Sequence, residues 1–173
     1  MRAGIPVLMT AIVCLGGAAL ASEALQPPAG WREPTTAELG REPLRSNQPT
    51  KYVEARMDLD GDGREDHAAL FIADDGKSEG LFAKLSSTNA TRWTLVETVG
   101  HAQASGPVMA ISIAKPGVIQ TACGKGYWTC KSGEPASVDL KYAGIEFFKF
   151  ESAGSIIYWE AGSRTFKRIR TSD

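Results

Sequence analysis

Asp58-Leu59-Asp60-Gly61-Asp62-Gly63-Arg64-Glu65-Asp66, followed at once by His67-Ala68-Ala69-Leu70-Phe71-Ile72-Ala73, is the stretch from which the rest of this chain is read. Four aspartates stand at relative positions 1, 3, 5 and 9 of the loop, with glycine at 6. Alternate residues turn their carboxylates to one side of a tight loop, and calcium takes six to eight oxygens in flexible geometry. The expected ligands are the side chains of Asp58, Asp60, Asp62 and Asp66, with Arg64 contributing its carbonyl alone. Gly61 and Gly63 permit backbone angles that a Cβ would obstruct. Four carboxylates this close repel one another, so a cation is expected to order the loop. Upstream, Tyr52–Met57 alternates, with Val53, Ala55 and Met57 on one face; downstream, His67–Ala73 is a largely apolar strand. The ion would then staple a β-hairpin.

Working outward, the period stays at two. Asp74-Asp75-Gly76 is a turn signal. Strands are expected at Gly80–Leu85, Trp93–Val99, Val108–Ala114, Val118–Ala122, Ile145–Phe150, Ser155–Trp159 and Thr165–Arg170. Long amphipathic helical patterns are missing, and the aspartate loop occurs once. The expected fold class is mainly β: a single antiparallel β domain over 51–173 with a calcium-loop hairpin and one disulfide. Residues 22–50 read as an extended, Pro-containing segment with Trp31 as its anchor. Within it Thr35-Thr36-Ala37-Glu38 fits a capping box, and Gly40 ends a helix of a turn or two. Arg41–Thr50, with Pro43, Asn47 and Pro49, reads as loop.

Residues 1–21 read as a secretory signal peptide: Arg2, an apolar core over Ile5–Ala18, and Ala19-Leu20-Ala21 before Ser22. An uncleaved anchor is the alternative, but the run is Gly/Ala-rich and lacks a basic stop-transfer flank. Cys14 lies inside the apolar core behind Val13, which argues against a lipoprotein. The remaining length suits one domain with one sizeable core. Without Arg2, 18 of the 19 basic side chains stand against 20 acidic ones. A balance so near neutral argues against nucleic-acid binding or a charged membrane surface. No stable membrane insertion is expected after signal removal. Without Cys14, Cys123 and Cys130 remain, an even pair in an exported chain, so a disulfide is the default expectation. Secretion or a periplasmic location follows.

Two other loops begin in a similar way. An EF-hand needs a bidentate Glu at position 12 and a helix on each side; position 12 here is Ala69, within an expected strand. A haloacid-dehalogenase-like nucleophile loop continues Asp-x-Asp-Gly with Thr after a buried strand. Here Asp62 takes the Thr position, Glu54 and Arg56 interrupt the strand, and no parallel α/β pattern follows. The spacing Asp-x-Asp-Gly-Asp-Gly-x-x-Asp before an apolar strand closely resembles the calcium loop of FG-GAP (VCBS, integrin-type) repeats. The resemblance covers about residues 52–73. It implies calcium at Asp58, Asp60, Asp62, Arg64 and Asp66, in proteins that mostly bind or adhere. Family propellers carry several copies, so the propeller itself is not implied. The rest of the chain is similar to small exported bacterial proteins of unassigned function that share a Cys-Gly-Lys-Gly-Tyr-Trp-x-Cys segment and a Tyr-Trp near the C-terminus; no activity comes with that likeness.

Other candidates are weaker. Tyr127 and Trp128, inside the Cys123–Cys130 loop, fit either a partner contact or a stapled turn packed on the sheet. Six residues between the cysteines do not match a thioredoxin-like site. His67 reads as a strand-start side chain, and His101 is the second of the two histidines. Glu146, Glu151 and Glu160 would have to converge to make a glycosidase pair. Lys167, Arg168 and Arg170 either meet an anionic partner or blunt a sheet edge. Asn89-Ala90-Thr91 is a sequon that marks a surface turn. The function these readings support is a non-catalytic, calcium-stabilised binding or interaction module of the cell envelope. Its partner would be a protein or an envelope ligand. The alternatives are a small periplasmic hydrolase and an inhibitor or immunity-type protein presenting the disulfide loop.

Overall fold

The computed structural model describes residues 25–87, 92–100 and 107–173. The signal segment, the sequon and His101 lie outside them. Strand β1 (Trp31–Arg32) precedes a one-turn helix, α1 (Thr36–Leu39), and a 3-10 turn over Pro43–Arg45. Then come β2 (Glu54–Met57), β3 (Asp66–Ala73), β4 (Ser78–Lys84) and β5 (Thr94–Gly100). The second half holds β6 (Met109–Ala114), β7 (Gly117–Gln120), β8 (Ser137–Leu140), β9 (Gly144–Lys149), β10 (Gly154–Glu160) and β11 (Thr165–Ser172). The chain is thus mainly β, with antiparallel sheets, very little helix and one disulfide.

Three sheets form. In the first, β3 is central: β4 and then β5 lie along one edge, while β2 and β1 share the other. The second runs β11-β10-β9-β6, and β7 pairs with β8 as a third. The main core sits between the first two sheets. Ala68, Leu70, Leu81 and Ala83 of the first meet Ile111, Ile145, Phe147 and Ile157 of the second. Val53, Ala55 and Met57 all face this core, as their alternation predicts.

The opposite face of β3 is also covered, which explains why Ala68–Ile72 is a continuous apolar run. There Ala69, Phe71 and Phe82 pack with Leu25, Trp31 and Trp93. The Trp31 and Phe82 rings meet edge to face at 4.9 Å, and the Trp93 indole donates to the Gln26 carbonyl at 2.8 Å. Each large apolar side chain buried in this way contributes about 1.5–3 kcal/mol relative to exposure. The third sheet covers the outside of the second through Ala114, Leu140 and Ile156, with Ile119, Val138 and Ile169.

Helix α1 starts at the capping box expected from Thr35 and Glu38, whose side chain and backbone bonds are reciprocal. Arg32 donates twice to the same Glu38 carboxylate, at 2.7 and 2.9 Å. That guanidinium, with help from the cap, holds the Glu38 carboxyl down at about 2. Strand β2 begins later than the alternation suggests because Tyr52 takes a φ of 68°, which breaks the extended run. Strands β1 and β8 were not expected at all.

Candidate metal centre

The acidic loop closes the hairpin between β2 and β3, whose register runs from Met57 opposite Asp66 to Glu54 opposite Ala69. Asp58, Asp60 and Asp66 each bring a carboxylate oxygen to a common point, all within 4.8 Å of one another. The loop folds its own amides onto these acids. Asp58 accepts from Gly61 N–H at 2.6 Å and from Gly63 N–H at 3.0 Å. Asp60 accepts from Asp62 N–H at 3.2 Å, and Asp62 from Arg64 N–H at 2.8 Å. Asp66 differs in kind: it opens β3, is fully buried, and accepts from Leu59 N–H at 2.8 Å and Ser86 N–H at 2.7 Å.

Among the described residues, no Lys or Arg makes an ion pair with Asp58, Asp60, Asp62 or Asp66. A carboxylate offers about four lone-pair directions, so one or two amide bonds leave oxygen capacity on each. The donor set is all oxygen and anionic, which fits a hard cation such as calcium. Asp62 belongs to the same loop, but the converging group consists of Asp58, Asp60 and Asp66; Asp62 accepts from Ser86 Oγ at 3.1 Å.

Three contributors escaped the sequence reading. Ser86 and Ser87 follow β4 and reach across to the loop, Ser87 by a hydroxyl bond to Asp60. Their proximity follows from the β3–β4 register, which sets Lys84 opposite His67. The third, Tyr142, lies against Gly61, where an added Cβ would come within 2.2 Å of its ring carbons. Gly61 and Gly63 both take left-handed backbone, with φ of 82° and 80°, but the space around Gly63 is open. Gly63→Ala should therefore cost about 1 kcal/mol for the backbone alone. Gly61→Ala should cost clearly more, and adding Tyr142→Ala should bring the two variants level in thermal melts. Equal melting temperatures for the two single variants would remove Tyr142 from this account.

His67 stands between Arg56 and Lys84 on the neighbouring strands. Burial, reinforced by those two cations, holds its imidazole below the ordinary value. The expected disulfide joins Cys123 and Cys130, with Cα atoms 4.9 Å apart. Its loop divides the two aromatic candidates. Tyr127 is half exposed, whereas the Trp128 indole N–H bonds Glu134 at 3.1 Å. Gly124 lets the loop lie against β8, since a Cβ there would collide with the Ala136 carbonyl. Of the three glutamates, Glu146 and Glu151 line one pocket of about 330 Å³, and Glu160 is not among its lining residues. Glu146 bonds Ser112 in the middle of its sheet, and Glu160 bonds Ser163 at the opposite end of β10 from Glu151.

Comparison with family models, with curated proteins and with solved structures returned no match.

Proposed function

We propose that this chain is an exported, non-catalytic interaction module of the cell envelope whose β domain is stabilised by one calcium ion at the 58–66 loop. Asp58, Asp60, Asp62 and Asp66 would hold the ion with the Arg64 carbonyl. The observation that carries this reading is the buried Asp66 carboxylate. It makes no ion pair with a Lys or Arg among the described residues, and Asp58 and Asp60 converge on it within 4.8 Å. Concentrated, uncompensated charge of this kind is costly in a folded chain, and a divalent cation turns that cost into a cross-link. The resemblance to the FG-GAP calcium loop supports the same ligands. Export is supported by the signal-like residues 1–21, and the disulfide is compatible with it.

The role would be structural. Binding at roughly 10⁻⁴ to 10⁻³ M is usual for extracellular calcium modules, so the site would be filled outside the cytoplasm. The loop ties β2 to β3, and β3 is the strand on which the first sheet is built. A cation there stiffens the scaffold that presents the binding surface.

Thermal unfolding in excess EDTA and in about 2 mM calcium, above the usual range for such sites, tests the proposal. The wild-type melting temperature should rise with calcium and not with equal magnesium. Asp60→Ala should melt lower in calcium and show no calcium dependence. If Asp60→Ala melts like wild type in saturating calcium, the site is wrongly placed.

A further inference from the structure

Strand β11 is the last strand of its sheet and pairs with β10 alone among the described sheets. Among the described residues, the disulfide loop and its flank meet the end of this strand, where Ala122 N–H bonds the Arg170 carbonyl at 2.8 Å on its outer side and the Lys125 ammonium bonds the Thr171 carbonyl at 2.9 Å. The Ala122 bond fixes the phase of the strand. In an antiparallel pair, the N–H and C=O of one residue point the same way and successive residues alternate. Arg170 faces outward, so Arg168 and Phe166 do as well, over a stretch with no register shift. The N–H of Arg170 and both backbone groups of Arg168 and Phe166 therefore lie along an open edge. A groove of about 760 Å³ runs beside it, with Arg168–Arg170 on one wall and Trp128 and Lys131 on the other.

We propose that this groove accepts an extended acidic peptide segment of a partner protein, which adds as a strand to the β11 edge. The proposal rests on the interaction-module reading and names the partner class and the surface. The argument for the occupant is charge. Lys131 and Arg170 are exposed, and their side chains make no hydrogen bond or ion pair among the described residues. Arg168 is anchored by Glu97 at 2.7 Å and by Ser155 at 3.0 Å, leaving further donors on its guanidinium. The acid of the groove, Glu134, is engaged by the Trp128 indole and Lys131 N–H. An edge this basic repels a second copy of itself, since pairing β11 with β11 would bring the Lys167, Arg168 and Arg170 charges of two copies close together. An acidic strand meets the same edge with main-chain bonds for affinity and alternate carboxylates for selectivity. Side chains two apart share a face, so acids at alternate positions would face Arg168 and Arg170. Trp128 supplies an apolar wall.

The test uses a random decapeptide pool selected on the immobilised protein in calcium. Enriched sequences should carry Asp or Glu at alternate positions. Lys131→Glu with Arg170→Glu, two exposed changes that should leave the fold intact, should weaken the selected peptides about tenfold or more and enrich basic residues instead. Lys131→Glu alone serves if the double variant fails to fold. Methylating alternate backbone nitrogens of the best peptide should abolish binding in one phase and spare it in the other. No acidic enrichment, the same enrichment on the charge-reversed variant, or indifference to both methylation phases would overturn the proposal. Calcium-dependent melting is measured on the same preparations. Failed selection with calcium dependence intact removes the partner alone, and the reverse result removes the metal alone.

Discussion

Asp66→Ala is expected to lower the unfolding free energy by about 1–4 kcal/mol, because it strips one buried and one part-buried amide of a charged acceptor worth about 1.5–3 kcal/mol each. The amides are those of Leu59 and Ser86, at 2.8 and 2.7 Å. One ties the start of the loop to its end, and the other ties the end of β4 to the start of β3. Removing a carboxylate also relieves repulsion from Asp58 and Asp60, which are half-buried beside it. That relief is about 1 kcal/mol for each of the two pairs where water screens the charges, which offsets part of the lost bonds and not the whole. The variant should also lose whatever calcium adds. Urea unfolding in EDTA and in calcium separates the two effects: the first loss appears in both, the second in calcium alone. A stability within 1 kcal/mol of wild type in EDTA would mean that Asp66 serves the cation only.

Arg45→Ala should be of similar size, for a reason unrelated to the metal. Arg45 and Glu79 are each 1% exposed. They hold the first residue of β6 from both sides: Arg45 donates to the Met109 carbonyl at 2.6 Å, and Glu79 accepts from the Met109 and Val108 amides. The guanidinium also lies over the Phe150 ring, 5.4 Å from its centroid. Burial lowers the Arg45 pKa, and the charges of Glu79 and Glu42 work against that. Its Nε and one terminal nitrogen have no hydrogen-bond partner, so the buried charge is incompletely compensated. Truncation strips the buried Met109 carbonyl of a charged donor, a bond worth about 1.5–3 kcal/mol, empties the space of a large buried side chain, and removes a buried cation whose charge faces that of Glu79. Arg45→Met combined with Glu79→Gln removes both charges and should recover a large part of that loss. A loss below 1 kcal/mol for Arg45→Ala would show that the pair does not organise β6.

The hairpin around the acidic loop was legible because two different signals bound it. Alternation in 52–57 fixed the inward face, and the Gly/Asp spacing fixed the loop. The capping box and the disulfide were legible for the same reason: their partners are near in sequence. Strand ends were less so, as at Tyr52, where a left-handed residue delays β2. Strand β8 was missed because Ser137-Val138-Asp139-Leu140 is short, carries an exposed acid and follows Pro135. Its pairing with β7 spans a loop that no local pattern announces.

Within the site, the sequence treats four aspartates as equivalent. The fold separates Asp66, which is buried by its place at the head of β3, from three acids on a turn. Ser86, Ser87 and Tyr142 arrive from distant segments, so only strand register could have placed them there. Arg45 lay in a stretch read as loop, and Glu79 sits between Ser78 and Gly80 with no sign of burial. Buried charges of this kind are set by packing, which a one-dimensional pattern does not carry.

The central claim is that the 58–66 loop takes a calcium ion, and residue-resolved NMR of the metal-stripped protein under calcium titration tests it most directly. The account predicts saturable, one-to-one shifts centred on the amides of Leu59, Gly61, Gly63 and Ser86, all of which bond the proposed ligands. Unmoved amides across this loop at about 10 mM calcium, well above the range for extracellular modules, would contradict it.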